Sequence, residues 1–162
     1  MILRLLIAVM LLGGAAQACS CRPIDVRKAV ADADVVFRGT VIDIHDAKRD
    51  VLTDILQPRK HIVVFRVNRV WKGDVGETFA ISAQEVAPIT QIRAAANCMG
   101  WWDDAAVGDE LLVYARHTPE TDEYTTSICY RTKLAKRSAQ DLQELGPGKP
   151  PTDNGQRTAP TP

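Results

Sequence analysis

Cys19, Ser20 and Cys21 follow directly on Ala16-Gln17-Ala18. The three residues in front read as the small-residue cleavage site that ends an export signal, so cleavage would make Cys19 the first residue and leave a free α-amino group on a cysteine. The chain's four cysteines, Cys19, Cys21, Cys98 and Cys129, all lie beyond the cleavage site. An even number of cysteines in an oxidising compartment predicts two disulfides. A bond between Cys19 and Cys21 would close a very small, strained ring, so each is expected to reach far along the chain. Spacing alone leaves open which reaches which. The chain-entropy model gives such long loops an upper figure of ~4–5 kcal/mol each, and measured values run nearer ~2–4 kcal/mol. The competing chemistry is a structural zinc site, but zinc cysteines usually come as spaced pairs, whereas Cys98 and Cys129 stand apart. With both bridges made, the exported chain would begin at a rigid, anchored terminus.

Other residue types point to less. His45, His61 and His117 are scattered, with no His-Glu-x-x-His spacing and no Ser/His/Asp context, so no enzyme, no catalytic residue and no cofactor is expected. Asp103-Asp104 beside Trp101-Trp102 has the composition of a binding patch, against the plainer reading of a loop tip with partly buried tryptophans. The whole chain has 20 Lys+Arg and 20 Asp+Glu. Removing residues 1–18 takes away Arg4 and no acid, leaving 19 basic residues against 20 acidic. So balanced a charge argues against a nucleic-acid partner, whose phosphates need a basic surface. Lys133, Lys136 and Arg137 read as a solvated helix face.

Residues 1–18 have one charge at Arg4, an apolar run from Leu5 to Leu12, and then small or neutral residues. The run is too short to span a bilayer, and no later stretch approaches that length. It is expected to be a signal peptide, ahead of a buried helix or a lipoprotein signal acylated at Cys19. The protein is accordingly expected to be secreted or periplasmic, with a lipid anchor as the lesser reading. The 144 residues that remain suit one domain, expected as a monomer over residues 19–145.

Within it, Val26, Ala29, Val30 and Ala33 recur at helical spacing over Pro23 to Ala33, with Asp25 placed to cap. Val35 to Ile44 reads as a strand interrupted at Gly39, where a bulge or sharp coil is expected. Asp46 to Lys60 is a long polar loop. His61 to Trp71 alternates with Val63, Phe65 and Val67 on one face and Val70 joining them after a slip in phase. Further strands are expected at Glu77 to Ala83, Glu110 to Ala115 and Tyr124 to Tyr130, with a connector from Gln84 to Asp104 pinned at Cys98. Ser138 and Asp141 have capping-box spacing for a last helix stopped by Gly146. Five strands with flanking helices suit an all-β, five-stranded OB-fold barrel, since closure removes exposed sheet edges. Residues 146–162, rich in Pro, Gly and Thr, are expected to form a disordered tail.

The run Cys19-Ser20-Cys21-Arg22-Pro23, with Ala29 and then Ala33-Asp34-Val35-Val36-Phe37-Arg38, resembles the mature N-terminus of the tissue inhibitors of metalloproteinases. The segments Asn97-Cys98-Met99-Gly100 and Thr126-Ser127-Ile128-Cys129 resemble those that carry the partner cysteines in that family. The resemblance covers about residues 19 to 145 and is to a single-domain member of bacterial type. It implies a netrin-like OB-fold module, with Cys19 bonded to Cys98 and Cys21 to Cys129. A third bridge of the animal proteins would start at Ala31 and is not expected here, nor is their second, cysteine-rich domain. The function implied is inhibition of a zinc metalloprotease, with Cys19, Ser20, Cys21, Arg22, Asn97 and Cys98 meeting the target. The α-amine and carbonyl oxygen of Cys19 would chelate the target's zinc, the only metal contact expected, and displace the attacking water. An α-amine with a reference pKa of ~7.7–8.0 reaches its ligating, neutral form near neutral pH. Ser20 would enter the substrate pocket, and Arg22 stands where the animal proteins carry a small or aliphatic residue. The alternative is a netrin-like module that binds proteins or serves structure without inhibiting, because a fold does not fix a function.

Overall fold

The computed structural model describes residues 21–47, 60–84 and 105–153. In chain order the elements are α1 (Val26–Asp32), β1 (Val35–Asp46), β2 (Lys60–Lys72), β3 (Thr78–Gln84), β4 (Glu110–Thr118), β5 (Glu123–Thr126), β6 (Lys133–Leu134) and α2 (Ala139–Leu145). Single turns of 3-10 helix at Ile128–Tyr130 and Ala135–Arg137 flank β6.

β1 pairs antiparallel with both β2 and β4, β2 with β3, and β4 with β5. One parallel pairing, Ser82 with Thr125, joins β3 to β5 and closes a five-stranded barrel. This is the all-β, OB-like barrel with flanking helices that the strand pattern predicts. Long strands must coil to close so small a barrel, and β1 and β2 do so through register shifts. One lies at Arg38/Gly39, where the partner strand skips Asn68. The extra residue accounts for the slip in phase, since Val67 and Val70 both point inward across it. Gly39 is required there: a Cβ would sit 2.9 Å from the Arg66 carbonyl oxygen and 3.3 Å from Phe65 Cβ.

Inward-facing residues of all five strands fill the barrel. Phe37 meets Phe65 and Phe79 at ring separations of 5.4 and 5.3 Å, and Val63, Ile81, Leu111 and Val113 complete the packing. A second apolar layer lies outside, where Val36, Leu112 and Tyr114 are covered by Ala29 of α1, by Ala33 just after it and by Leu142 and Leu145 of α2. The two short helices thus share one outer face of the barrel. Each has too few residues to be stable alone, so that shared apolar layer holds them.

Three expectations need correction. The strand expected to run from Tyr124 to Tyr130 stops at Thr126. The chain leaves the sheet from Ser127 to Arg131 and rejoins β4 as β6. Side-chain hydroxyls bridge the gap: the Tyr114 amide donates to Thr132 Oγ1 at 2.8 Å and Thr126 Oγ1 donates to the Tyr114 carbonyl at 2.6 Å. The capping box is also absent. Ser138 Oγ donates to the Leu134 carbonyl and Asp141 turns into the protein.

The third correction concerns the tail, whose first part is held against the barrel. β3 pairs β2 only from Lys60 to Arg66, which leaves backbone groups farther along β2 without a strand partner on that side. Residues 146–153 occupy that side: Val70 and Lys149 exchange reciprocal backbone bonds of 2.9 Å, and Thr152 donates to the Val75 carbonyl at 3.0 Å. Trp71 Nε1 donates to the Gly146 carbonyl at 2.9 Å, while Gly148, at φ 64°, lies so close that a Cβ would be 2.9 Å from the indole. Composition misled here because Pro and Gly also suit a strap fitted against a surface. Residues 154–162 lie outside the described residues.

Candidate functional site

The outer layer ends at the point where the chain enters the domain. Cys21 is bonded to Cys129 across 108 residues of sequence, with the two Cα atoms 5.1 Å apart. Cys129 is carried there by the excursion from the sheet, in which its own amide donates to Ser127 Oγ at 3.0 Å. Arg22 and Pro23 are exposed, Ile24 packs on the outer layer, and Asp25 caps α1 by accepting from the Lys28 amide at 2.7 Å. The cap fixes where the helix starts, and so how many residues span from disulfide to helix.

A second attachment lies beside the first. Arg131 Nη1 donates to the Ile24 carbonyl at 2.6 Å, while Nε and Nη2 donate to Asp141 Oδ2 and Oδ1 at 2.7 and 2.9 Å. Asp141 is wholly buried and also accepts from Lys133 Nζ at 2.8 Å and from the Tyr114 hydroxyl at 3.0 Å. A buried carboxylate is tolerable only when paired and hydrogen-bonded, and this one has four donor bonds. Burial alone would raise its pKa, but hydrogen bonds from Arg131 and Lys133, the Lys133 charge and the Tyr114 hydroxyl outweigh it and hold the carboxyl below its ordinary value. Burial, followed by the Asp141 charge and hydrogen bond, pushes the Tyr114 phenol well above its ordinary range. The Asp141 hydrogen bond likewise raises the Arg131 guanidinium. At neutral pH the cluster is an ionised carboxylate among two cations and a neutral phenol.

Lys133 therefore belongs to this cluster and not to a solvated helix face, because it lies on β6, paired with β4, and its side chain reaches Asp141 of α2. Lys136 and Arg137 are exposed. On the rim of the layer, Arg116 sits 4.1 Å above the Tyr130 ring and 3.3 Å from Asp32, and Lys72 Nζ donates to the last carbonyls of α1 at 2.8 and 3.1 Å.

Of the residues the sequence nominates for the site, Cys21 and Arg22 fall within the described residues; Cys21 is bonded to Cys129 and Arg22 is exposed. Cys19, Ser20, Asn97 and Cys98 and the Trp101-Trp102 patch lie outside them, as do residues 48–59 of the polar loop. The pairing of Cys19 with Cys98 is likewise outside. Sequence reasoning missed Arg131, Asp141, Lys133 and Tyr114. The available signal was the strand expected to reach Tyr130, in which Ser127, with Arg131 just past its end, suits an exit from a sheet better than its middle. Among the described residues no group of His, Cys, Asp and Glu could hold a metal ion, and no helix is long and apolar enough to cross a membrane. No model of a known protein family matches the chain, and no curated protein matches it in sequence.

Proposed function

We propose that the exported protein is a zinc-metalloprotease inhibitor of the netrin-like kind, which presents the α-amine and carbonyl of Cys19 to the zinc of its target. One observation carries this reading: the segment immediately after the expected start is tied to the barrel twice, at Cys21 by the disulfide and at Ile24 by Arg131. An inhibitor that acts through its terminus needs that terminus ordered before binding, because ordering it during binding lowers affinity. A bond from Cys19 to Cys98 would add a third tie. Such a brace is also what keeps an inhibitor from being cleaved as a substrate, since the backbone cannot move into the geometry of turnover. In this reading Ser20 fills the pocket beside the metal, and exposed Arg22 meets the next part of the cleft and selects among targets. The protein acts as a secreted or periplasmic monomer.

The experiment is a panel of zinc metalloproteases assayed with protein shown by intact mass to begin at Cys19, and with the same protein acetylated at its terminus. Acetylation converts the amine to an amide, a poor ligand, so inhibition should fall at least a hundredfold for any susceptible member. A terminus that begins elsewhere, or a panel unaffected by the unmodified protein, favours the non-inhibitory binding module, for which the same ties would merely staple the chain.

A further inference from the structure

Three features of Arg131 go beyond the closing of a buried ion pair. It is one of two non-glycine residues with positive φ among the described residues, at 83°. The other, Asp122 at 53°, is of a type that tolerates this region in turns, whereas an arginine gains nothing from it. Its guanidinium is divided, with two nitrogens on Asp141 and the third on the Ile24 carbonyl. Finally, Asp141 keeps Lys133 and Tyr114 as partners in addition, so its charge does not by itself demand an arginine that also reaches the entering chain.

The spacing supplies the reason. Cys129 and Arg131 are two residues apart on one side, and Cys21 and Ile24 three apart on the other, so the entering segment is gripped at both ends of a short span. A disulfide alone is a pivot about which the segment can turn. A second contact at Ile24 removes that rotation. We propose that Arg131 is the positioning residue for residues 21–24: anchored on buried Asp141, it sets the direction in which the terminus leaves the barrel. Lysine cannot replace it, because one ammonium group cannot engage both Asp141 oxygens and the Ile24 carbonyl in this planar, forked arrangement. For inhibition the consequence rests on the function proposed above, whereas the grip itself does not.

Two contacts that hold the same span are thermodynamically coupled, so the loss of one weakens the other. The test is the thiol–disulfide equilibrium of Cys21 with Cys129 in glutathione buffers. It is read by alkylation and mass mapping, under conditions where near-ultraviolet circular dichroism shows the reduced protein still folded. Arg131→Lys keeps a cation beside Asp141. Arg131→Gly suits the backbone at positive φ and removes the side chain. Both should shift the equilibrium at least tenfold towards the thiols, while Arg137→Ala, at an exposed site, leaves it within twofold. In the protease panel both should also raise the inhibition constant at least tenfold. If no protease responds to the wild-type protein, the inhibitor reading fails and the disulfide equilibrium alone decides on Arg131. A Cys21 to Cys129 equilibrium within twofold of wild type in both Arg131 variants would overturn the proposal.

Discussion

The chain enters the barrel through a covalent bond and a buried ion cluster, and leaves it along a strap of backbone pairing with Gly148 fitted against Trp71. At the entry each partner depends on charge and position: Asp141 is tolerable only because Arg131, Lys133 and Tyr114 surround it, and the excursion that carries Cys129 and Arg131 out of the sheet relies on Thr126 and Thr132 to replace lost ladder bonds. At the exit three bonds run main chain to main chain, the Trp71 and Thr152 side chains add the others, and no buried charge takes part. A segment that only has to be covered needs no more than the exit provides. The denser construction at the entry fits a terminus whose direction matters.

The largest expected effect comes from removing the centre of the entry cluster. Asp141→Ala leaves a guanidinium, an ammonium and a phenol without their acceptor and should cost about 3–5 kcal/mol in chemical denaturation. Asp141→Asn should cost less and reveal the pH dependence. Because the folded protein holds the Asp141 carboxyl below its ordinary value, its contribution is complete above the unfolded pKa of about 3.9 and is lost as pH falls through the lower folded value. The stability gap between wild type and Asp141→Asn should therefore be flat near neutrality and shrink in acid. Tyr114 sets the opposite limit. Its phenol is raised, so its contribution is complete below about pH 10 and is lost as pH rises through the folded value. Tyr114→Phe should abolish that alkaline loss.

Next in size is the covalent tie. Replacing Cys21 and Cys129 together by serine should cost about 2–4 kcal/mol, measured against wild type with its disulfides intact. The smallest effect is expected at the exit. Gly148→Ala meets both a positive φ and the Trp71 indole, and should cost about 1–3 kcal/mol while loosening amide-exchange protection at Val70 and Lys149 only. A loss at Gly148 as large as that at Asp141 would erase the distinction between the two ends.

How much of this could be read in advance follows the same division. The barrel was legible because its signals are local: alternation on each strand, the missing Cβ at Gly39, and the slip between Val67 and Val70 that the skipped residue Asn68 explains. Asp25 was legible as a cap for the same reason. The ion cluster was not, because Asp141, Arg131, Lys133 and Tyr114 meet only after β4, β6 and α2 have packed together. Ser138 and Asp141 at capping-box spacing were the nearest local pattern, and tertiary charge pairing overrode it. The strap failed differently. Its composition is that of unstructured chain, and the backbone groups it pairs with are left open only because β3 is shorter than β2. Of the site itself, the sequence offered the cysteines, with the Cys21 to Cys129 pairing implied by family resemblance, and no sign of the residue that grips Ile24.

The most direct test of the proposed function compares two proteins that differ by one residue at the start, the authentic chain beginning at Cys19 and the same chain with a single alanine ahead of it. Disulfides, barrel and ion cluster should be identical in both, with melting temperatures that agree. The account predicts that the authentic protein inhibits at least one zinc metalloprotease and that the alanine extension raises the inhibition constant at least a hundredfold, since the amine moves off the metal. Equal inhibition by the two proteins would contradict it.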